Sequence, residues 1–403
     1  MEFCLIGEKL SHSYSANIHN KCGLKYSLQS IERGTLKNFL QNNNFSGFNV
    51  TIPYKKEIIP YLDFIDEEAR EIGAVNTVKN VDGKLFGYNT DLFGLEYLFK
   101  KSQIDVKNKN VVILGSGGAS NCVSYYAKKR GAKSITIVGR NSEYNYTNVY
   151  SLIDTEVIVN ATPVGMYPNN LESLICLDKF SKLYGVVDLI YNPFLTDLLY
   201  QAKKLSIKYA NGISMLVAQA IKSQEIWLDK KMEDSFIEKI SNQIIAEKQN
   251  IVLIGMPSAG KSTIGKALAN ILNKKFIDVD EEICLLTGSL PSEIILNSGE
   301  EVFRKIESDV IRDLSKQNGL VIATGGGAVL REENRKNLAQ NGKIVYIKRD
   351  LDKLIMDNRP ISKGKGIERL FEERKDIYES FSDIAVDNNF SVENCVKEII
   401  DKI

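Results

Sequence analysis

Residues 109–120 read KNVVILGSGGAS, and residues 251–263 read IVLIGMPSAGKST. In each stretch an apolar strand runs directly into a glycine-rich turn. The first turn (115–120) is of the kind that lets a dinucleotide pyrophosphate approach the backbone and rest on a helix N-terminus. The second turn (255–263) is a complete phosphate-binding loop, in which backbone N–H groups cradle phosphates, a lysine neutralises them and a hydroxyl binds Mg²⁺. Redox chemistry and phosphoryl transfer are both predicted, as expected of two fused enzymes.

Composition and charge argue against several other classes of protein. At 403 residues the chain exceeds what one hydrophobic core usually supports, so two or three domains are expected. A net charge of +1, with no long tail of one sign, argues against nucleic acid or a membrane surface as a partner. There is no basic signal region, no apolar run approaching the ~18 residues that span a bilayer, and no C-x-x-C pair among the six cysteines. A cytoplasmic protein with buried thiols is expected, and its oligomeric state is left open.

The rest of the chain alternates short apolar strands with helices, which is typical of α/β folds. Strands are predicted at 2–6, 135–138, 156–160, 185–189, 276–279, 320–323 and 343–347, and helices at 36–41, 215–228 and 230–245. The polar stretch 246–250 marks a domain boundary. We expect an α/β substrate lobe (1–100 and 220–246), a Rossmann-type dinucleotide lobe with a doubly wound parallel sheet (101–219), and an α/β phosphate-loop domain with a parallel sheet (250–403).

The residues after the second strand of the dinucleotide lobe indicate its cofactor. An NAD enzyme normally places Asp or Glu there for the ribose hydroxyls, but this chain reads Gly139-Arg140-Asn141. A guanidinium suits the additional 2′-phosphate of NADP. NADP is therefore predicted, and the alternative is an exposed arginine without a ligand.

Three polar clusters follow apolar stretches upstream: SHSYS (11–15), NVTIPYK (49–55) and GYNTD (87–91). Together they supply hydroxyls, amides, one amine and one carboxylate, a lining that suits a small polyhydroxylated carboxylate. Each cluster by itself would more often be a turn or a helix cap. The only histidines are His12 and His19, so acid–base chemistry elsewhere must use Lys, Asp, Glu or Tyr.

In combination, the motifs of residues 3–245 resemble shikimate dehydrogenase. They stand here as HSYS, NVTIPYKK, GAVNT (73–77), GYNTD, GSGGAS, NATPVGM (160–166), DLIYNPFLT (188–196) and NGISMLVAQA (211–220). The resemblance implies an NADP-linked enzyme that interconverts 3-dehydroshikimate and shikimate, with Lys55 and Asp91 as its catalytic pair. Hydride delivery to a ketone leaves negative charge on oxygen, which a lysine ammonium oriented by a carboxylate can stabilise or protonate. One departure is Ala16, where the family usually has Pro.

The same resemblance implies two sets of binding residues. The substrate's hydroxyls and carboxylate would be held by Ser13, Ser15, Thr51, Asn76, Asp91, Tyr191 and Gln219. NADP would be bound by Gly115, Gly117, Gly118, Ala119, Arg140, Asn160, Thr162, Gly212 and Met215.

The second half carries carboxylates, arginines and a triple glycine downstream of its phosphate loop. Asp278-Val-Asp280 ends a predicted strand, and strand alternation would place both carboxylates on one face toward the loop. One could bind Mg²⁺ through water and the other the acceptor hydroxyl, although a single Asp at a strand end is more often a helix cap. Arg304, Arg359 and the turn TGGGA (324–328) predict a carboxylate site, the alternative being exposed arginines and a flexible loop.

These features resemble shikimate kinase over residues 250–403. The resemblance implies that ATP is bound by Gly255, Ser258, Ala259, Gly260, Lys261, Ser262 and Thr263, Mg²⁺ by Ser262 and Asp278, and shikimate by Asp280, Arg304, Gly325, Gly326, Gly327 and Arg359. Lys261 and Asp280 would be catalytic, with Asp280 as the partner of the attacking hydroxyl. Glu373-Arg374-x-x-x-Tyr378 resembles the family's C-terminal helix near the adenine.

The segment before Arg359 departs from the kinase pattern. Only residues 351–358 separate Arg359 from the preceding strand end, and they lack the ATP-contacting arginine that the family usually carries in a longer lid. Substitutes could be Lys353, Lys363 or Lys365, although a lysine lacks the planar fork of arginine. Weak ATP binding or turnover, with some wasteful ATP hydrolysis, would follow.

Both resemblances converge on one small molecule, because the first half makes the hydroxyl that the second half phosphorylates. The sequence therefore predicts a bifunctional enzyme of the shikimate pathway of aromatic amino acid biosynthesis, using NADPH and then MgATP. Two alternatives stay open: a quinate/shikimate dehydrogenase that prefers NAD, and one half acting as a non-catalytic sensor of shikimate or ATP. Arg140 argues against the first alternative, and the intact Lys55, Asp91, Lys261 and Asp280 argue against the second.

Overall fold

The computed structural model describes residues 2–10, 13–42, 45–354 and 366–403, and its strands form three sheets. The chain divides into two compact units. The first comprises Met1–Met166, Glu172–Tyr191 and Gln201–Ile244, and the second comprises Tyr167–Leu171, Asn192–Tyr200 and Ile245–Ile403. Two of the sheets lie in the first unit and the third lies in the second.

The first sheet is mixed and is built from the first 88 residues. Its strands are β1 (Phe3–Gly7), β2 (Tyr26–Ser30), β3 (Gly47–Val50), β4 (Phe64–Ile65), β5 (Thr77–Val81) and β6 (Lys84–Tyr88), in the order β2-β1-β3-β5-β6-β4. The helices along this stretch are α1 (Ser15–Lys21), α2 (Leu36–Asn42), α3 (Tyr54–Glu57), α4 (Glu67–Ile72) and α5 (Asp91–Ser102). Strand β5 is antiparallel to both β3 and β6, so β3 and β6 point the same way.

A tight hairpin joins β5 to β6 and brings two sequence clusters together. Asp82 and Gly83 have φ values of 52° and 84°, as a two-residue type I′ turn requires at both positions. The hairpin pairs Thr77 with Tyr88. The residue before β5, Asn76, therefore lies beside the residues that follow β6.

The second sheet is wholly parallel and has a helix after most of its strands. Its strands are β7 (Asn110–Leu114), β8 (Ser134–Val138), β9 (Val157–Asn160), β10 (Gly185–Asp188) and β11 (Lys208–Ala210), in the order β11-β10-β9-β7-β8. The helices that follow are α6 (Gly118–Lys129), α7 (Asp197–Lys204), α8 (Ile213–Leu228) and α9 (Asp234–Lys248). The central strands β7 and β9 are buried on both faces, which explains their continuous apolar runs. The predicted Rossmann-type sheet is confirmed.

The third sheet, in the second unit, is also wholly parallel, as predicted. Its strands are β12 (Asn250–Ile254), β13 (Lys275–Asp278), β14 (Leu320–Ala323), β15 (Gly342–Lys348) and β16 (Ile384–Asp387), in the order β13-β14-β12-β15-β16. Its helices are α10 (Lys261–Leu272), α11 (Val279–Thr287), α12 (Pro291–Ser298), α13 (Glu300–Ser315), α14 (Glu332–Asn341), α15 (Ile367–Phe381) and α16 (Val392–Lys402). The phosphate loop leaves the central strand β12, so it lies in the middle of the sheet's carboxyl edge.

Helix α14 buries amides where most helices bury apolar side chains. Four of its side chains are at most 2% exposed: Asn334, Asn337, Gln340 and Asn341. The Gln340 Nε2 donates to the Asn170 carbonyl at 2.6 Å, and the Asn341 Oδ1 accepts from the Phe194 N–H at 3.0 Å. These hydrogen bonds satisfy polar groups that would be costly to bury alone, and they account for the short segments around Asn170 and Phe194 that complete the second unit.

Two further properties bear on the expected class of protein. Within the described ranges no helix is long and apolar enough to cross a membrane. All six cysteines are described, and all six are free thiols, with Cys4, Cys122 and Cys395 buried.

Candidate functional site

A lysine–aspartate pair lies at the carboxyl edge of the first sheet. Lys55 stands in α3, shortly after β3, and Asp91 begins α5, shortly after β6. The two strands run in the same direction, so their ends meet, and the Lys55 Nζ donates to the Asp91 Oδ2 at 2.6 Å. The side chains are 27% and 17% exposed, so the pair is reachable from solvent but more strongly coupled than a surface ion pair. The structure thus brings together the two residues predicted as the catalytic pair.

Asn76 completes this cluster, and hydrogen bonding determines which way its amide faces. The Asn76 Oδ1 accepts from the Thr90 backbone N–H at 2.8 Å, and that group can only donate. The Asn76 Nδ2 therefore faces Asp91 and donates to its Oδ1, also at 2.8 Å. Both carboxylate oxygens of Asp91 have a donor, one from Lys55 and one from Asn76.

Helix α8 packs closely on α5 and carries Gln219, another predicted substrate residue. A Cβ at Gly94 would lie 2.6 Å from the Met215 carbonyl oxygen and 3.3 Å from the Gln219 Cβ, so only glycine permits this approach. The Gln219 Nε2 donates to the Leu216 carbonyl at 2.8 Å. Gln219 therefore lies against the first turn of the helix that Asp91 begins.

The remaining predicted substrate residues are hydroxyl-bearing. The Ser13 Oγ donates to the Ser15 Oγ at 3.1 Å and accepts from the Ser15 N–H at 3.2 Å. Between them, the Tyr14 ring packs against the Tyr191 ring, with centroids 5.2 Å apart. Ser13 and Ser15 are therefore in contact, and Tyr191 packs on the residue between them. Thr51 lies in the short link between β3 and α3.

The glycine-rich turn after β7 leaves room for a pyrophosphate. Gly115 has a φ of 108°, and a side chain there would collide with Thr162. In contrast, no atom lies within 4 Å of a Cβ built at Gly117 or Gly118. A ligand can therefore reach the backbone N–H groups of the first turn of α6, which includes Ala119, and helix N-termini favour anions. The turn fits the pyrophosphate of a dinucleotide.

The loops beside this turn contain the other predicted NADP residues. The Asn160 Oδ1 accepts from the Thr162 N–H and hydroxyl at 3.0 and 2.7 Å, and the Asn160 Nδ2 donates to the Asp188 Oδ1 at 3.0 Å. Gly212 precedes α8, where a side chain would collide with the backbone after β10, and Met215 follows in the first turn. These loops stand at the carboxyl ends of the strands, where dinucleotides bind in such folds.

Arg140 follows β8 and is exposed. A Cβ at Gly139 would lie 3.5 Å from the Ser116 Oγ, so this end of β8 adjoins the glycine-rich turn. In the part of the chain that the structure describes, no carboxylate forms an ion pair with Arg140. An uncompensated guanidinium beside a pyrophosphate turn fits the 2′-phosphate of NADP.

The phosphate loop between β12 and α10 encloses a buried lysine. The Lys261 Nζ donates to the carbonyls of Gly255 and Met256 at 2.9 and 2.8 Å, and the residue is 8% exposed. Ser258 has a φ of 65° and Gly260 a φ of 94°. This backbone makes the concave arrangement of N–H groups that binds phosphates, and Lys261 lies within it, as predicted.

Ser262 and Asp278 form the predicted metal pair. The Ser262 Oγ donates to the Asp278 Oδ2 at 2.5 Å, and a hydroxyl beside a carboxylate offers the oxygen ligands that Mg²⁺ prefers. Asp278 also caps α11, because its Oδ1 accepts from the Asp280 N–H at 3.0 Å. Asp280 thus lies in the first turn of a helix. The prediction that strand alternation points both carboxylates the same way is wrong, because the cap ends the strand at Asp278. Thr263 follows in the first turn of α10.

Asp280 nevertheless lies beside the glycine turn that follows β14. A Cβ at Gly325 would lie 3.3 Å from the Asp280 Oδ1 and 2.7 Å from the Glu307 Oε1. A side chain at Gly327 would collide with the Arg304 guanidinium. The structure therefore brings Asp280, Arg304 and the triple glycine together.

Glu307 is part of this site although no role was predicted for it. It is fully buried, and its Oε2 accepts from the Arg304 Nη1 at 2.7 Å. Its Oε1 has no hydrogen-bond donor among the described residues. Burial raises the pKa of Glu307, although the Arg304 charge opposes the rise. The sequence feature that could have identified Glu307 is its i, i+3 spacing from Arg304, which places both side chains on one helix face.

Arg374 is a second residue that the sequence placed elsewhere. It is 4% exposed, and its Nε has no acceptor among the described residues. One turn later on α15, the Tyr378 hydroxyl donates to the Gly326 carbonyl at 2.5 Å. The helix therefore packs on the turn predicted to hold shikimate, and its position near the adenine stays a prediction.

Arg359, predicted to bind shikimate, and Lys363 and Lys365, possible substitutes for the lid arginine, lie outside the described residues. Lys353 is described, and it pairs with Asp350 at 3.1 Å. Directly after β15, the Arg349 Nη1 donates to the Ser258 carbonyl of the phosphate loop at 3.4 Å. Arg349 is a cation at the loop that the sequence reasoning missed, because it precedes the segment compared with the kinase lid.

Comparison with known proteins assigns a family to each part of the chain. Residues 257–403 match the family model for shikimate kinase, and residues 5–78 match that for the shikimate dehydrogenase substrate binding domain. Shikimate dehydrogenase (NADP(+)) of Clostridium beijerinckii is 38% identical over 268 residues, which cover 60% of this chain and 99% of that protein. The structure of shikimate dehydrogenase 1 from Peptoclostridium difficile is 38% identical in sequence, with a TM-score of 0.57. The match covers 60% of this chain and 98% of that structure's chain.

A third relative was solved with ligands. Shikimate 5-dehydrogenase from Thermus thermophilus, in complex with NADP(H) and shikimate, is 28% identical in sequence, with a TM-score of 0.55. The match covers 60% of this chain and 99% of that structure's chain. The dehydrogenase relatives are thus matched over nearly their whole length. The chain belongs to the shikimate dehydrogenase family, and it carries in addition a shikimate kinase domain.

Proposed function

We propose that this chain catalyses two consecutive steps of the shikimate pathway. In the first step NADPH reduces 3-dehydroshikimate to shikimate, and in the second MgATP phosphorylates shikimate to shikimate 3-phosphate. The observation that carries the proposal is one complete reactive cluster in each unit. Lys55 and Asp91 are 2.6 Å apart in the first unit, and the phosphate loop around Lys261 adjoins the Ser262–Asp278 pair in the second.

In the dehydrogenase step the protein binds the ketone and controls one proton. NADPH, when bound, supplies the hydride. The charge that develops on the substrate oxygen is stabilised by the Lys55 ammonium, which also donates the proton. Asp91 holds that ammonium, and Asn76 holds the second Asp91 oxygen, so the donor is already oriented when the substrate arrives. The substrate's hydroxyls and carboxylate are bound by Ser13, Ser15, Thr51, Tyr191 and Gln219.

In the kinase step the protein positions two substrates and balances charge, because phosphoryl transfer needs little else. MgATP, when bound, supplies the phosphoryl group. Lys261 and the loop N–H groups hold its phosphates, while Ser262 and Asp278 hold the metal. Asp280 orients the attacking hydroxyl of shikimate, and the Arg304 guanidinium binds its carboxylate.

Two residues for which the sequence predicted no contact with shikimate extend the shikimate site of the kinase. Glu307 offers an acceptor for a shikimate hydroxyl, since its Oε1 faces the glycine turn without a donor among the described residues. Arg374 offers a second guanidinium beside that turn, supported by the Tyr378 hydrogen bond to Gly326. Arg359 keeps its predicted role in binding shikimate.

The domain assignment follows from where each set of residues lies. Residues 1–246 would form the dehydrogenase, with 1–100 and 220–246 as its substrate lobe and 101–219 as its NADP lobe, and residues 250–403 would form the kinase. The partners are then small molecules, without nucleic acid or a membrane. A cytoplasmic location is supported by the six free thiols, which are typical of a reducing compartment.

One assay of the purified full-length chain tests both activities. With 3-dehydroshikimate, NADPH and MgATP, the wild type should consume NADPH and form shikimate phosphate. Lys55→Ala should lower dehydrogenase kcat by at least about 100-fold, because it removes the proton donor. It should leave phosphorylation of supplied shikimate unchanged, and Lys261→Ala should do the reverse.

Matched lysine controls make that result specific. Lys56 and Lys266 are exposed neighbours on α3 and α10, and Lys56→Ala and Lys266→Ala should leave both activities near wild type. Phosphorylation that survives Lys261→Ala would overturn the kinase assignment. NADPH consumption that survives Lys55→Ala would overturn the catalytic role of that lysine. A wild-type chain active in only one of the two steps would support the alternative in which the other half is a sensor.

A further inference from the structure

A buried polar network surrounds Ser223 of α8, next to the Asn76 amide. The Ser223 Oγ lies 2.8 Å from the Thr77 Oγ1 and 3.1 Å from the Thr90 Oγ1, and it accepts from the Asn49 Nδ2 at 2.9 Å. It also donates to the Gln219 carbonyl at 2.9 Å. Ser223 and Thr77 are wholly buried, and Thr90 is 2% exposed. Four separate elements of the first unit therefore meet at one hydroxyl.

The protons of this network can be assigned. The single Ser223 proton goes to the Gln219 carbonyl, which can only accept, so Ser223 is an acceptor toward the two threonines. The hydroxyls of Thr77 and Thr90 also lie 3.0 and 3.2 Å from the Asn76 Oδ1. One threonine proton can thus reach Ser223 while the other reaches Asn76. No buried hydroxyl of this set is then unpaired, which is the condition under which a polar network rigidifies a site.

We propose that Ser223 is a positioning residue for the dehydrogenase reaction. By accepting the proton of one threonine it leaves the other threonine to donate to the Asn76 Oδ1, and so supports the Asn76 amide in the orientation that donates to Asp91, the partner of Lys55. Because Ser223 stands on α8 one turn after Gln219, its contacts with Asn49 and Thr77 also seat the helix that carries Gln219 against this cluster. The proposal rests on the dehydrogenase function proposed above, and it adds a residue that touches neither substrate nor NADPH.

The first test is Ser223→Ala in the full-length chain. Loss of a buried hydrogen-bond partner should lower kcat for 3-dehydroshikimate reduction by about 10-fold, with the KM for NADPH unchanged. Ser241→Ala is the matched control, since Ser241 is equally buried and donates to the Ile237 carbonyl one turn earlier at 2.8 Å. That variant should keep kcat within about 2-fold. A Ser223→Ala enzyme with the kcat of the Ser241→Ala enzyme overturns the proposal.

A double-variant cycle separates positioning from general destabilisation. If Ser223 acts through Asn76, then Ser223→Ala should lower kcat by less than about 2-fold once Asn76→Ala is present. Equal fold-losses in both backgrounds would overturn the proposal. Should Ser223→Ala be insoluble, Thr77→Val takes its place, because valine keeps the shape of the buried threonine without its hydroxyl. A wild-type kcat in that variant also overturns the proposal.

Failure of the proposed dehydrogenase function can be distinguished from failure of the role proposed for Ser223. A wild-type chain that does not oxidise NADPH with 3-dehydroshikimate refutes the dehydrogenase assignment, and with it the role of Ser223. An Asn76→Ala variant with wild-type kcat refutes the path through Asn76 while leaving the dehydrogenase assignment intact. The fluorescence of Trp227, the single tryptophan and a residue of the first unit, reports whether that unit is folded in each variant.

Discussion

We predict that acid destabilises the first unit through one buried residue, His19. Its ring is 0% exposed and stacks on Tyr26 with centroids 4.0 Å apart, and Trp227 lies 5.5 Å away. The His19 Nδ1 is 2.8 Å from the Gln224 Nε2. The other ring nitrogen, the His19 Nε2, has no hydrogen-bond partner among the described residues. Burial lowers the pKa of His19 from 6.5 to about 3, and the nearby Asn49 side chain opposes only part of that shift.

The size of the effect follows from these two pKa values. The unfolded chain protonates His19 below pH 6.5, whereas the folded chain does so only near pH 3. The stability contributed by the neutral ring is therefore fully present above pH 6.5 and is lost as the pH falls toward 3. Between about pH 7.5 and about pH 5 the loss amounts to about 2 kcal/mol. His19→Phe should remove this loss, because phenylalanine can fill the aromatic stack and cannot be protonated.

The single tryptophan of the chain makes the measurement specific. Trp227 lies in the first unit, so selectively excited tryptophan fluorescence follows the urea unfolding of that unit. From about pH 7.5 to about pH 5 the wild type should lose about 2 kcal/mol more than His19→Phe. The other titrating groups are common to the wild type and the variant, so their contributions to the loss of stability cancel in the comparison. Equal losses in the two proteins would refute the reasoning, whatever the effect of the substitution at neutral pH.

Three further predictions concern the two sites. Arg140→Gln should raise the KM for NADPH by about 10-fold, because it removes a charge-assisted hydrogen bond to the 2′-phosphate. The KM for NADH should not change. An equal rise in KM for both cofactors would contradict the NADP assignment. Ser262→Ala should raise the Mg²⁺ concentration for half-maximal phosphorylation by about 10-fold, and an unchanged Mg²⁺ titration would exclude Ser262 as a metal ligand. Glu307→Ala should destabilise the second unit by about 3 kcal/mol, since it leaves the Arg304 charge buried with less compensation. Urea inactivation of the kinase measures that loss, and an unchanged midpoint would show that the pair does not support the fold.

Much of the fold could be predicted because local pattern and turn chemistry agree. Strands β7 and β12 are apolar runs that end in glycine-rich turns, and β9, β10 and β14 lie within a residue of their predicted bounds. The end of β13 was misplaced, because the apolar pattern continues through Val279 while Asp278 caps a helix. The β5–β6 hairpin was missed although Asp82-Gly83 is a strong turn signal, since a strand–helix alternation was assumed for the whole first lobe.

The sequence by itself determined the chemistry, because groups that bind phosphate or transfer a proton are specified by residue type and local spacing. The two phosphate turns, Lys261 and Arg304 could be found in this way, whereas Lys55 and Asp91 were implied by the resemblance of their motifs to a known family. Tertiary structure alone decided how those groups are held. The hydrogen bond from Asn49 to Ser223 joins residues 174 apart in the chain, and that from Thr90 to Ser223 joins residues 133 apart. Such contacts leave no local pattern, so only the packing of α8 on the sheet shows which buried groups support the Asn76 amide.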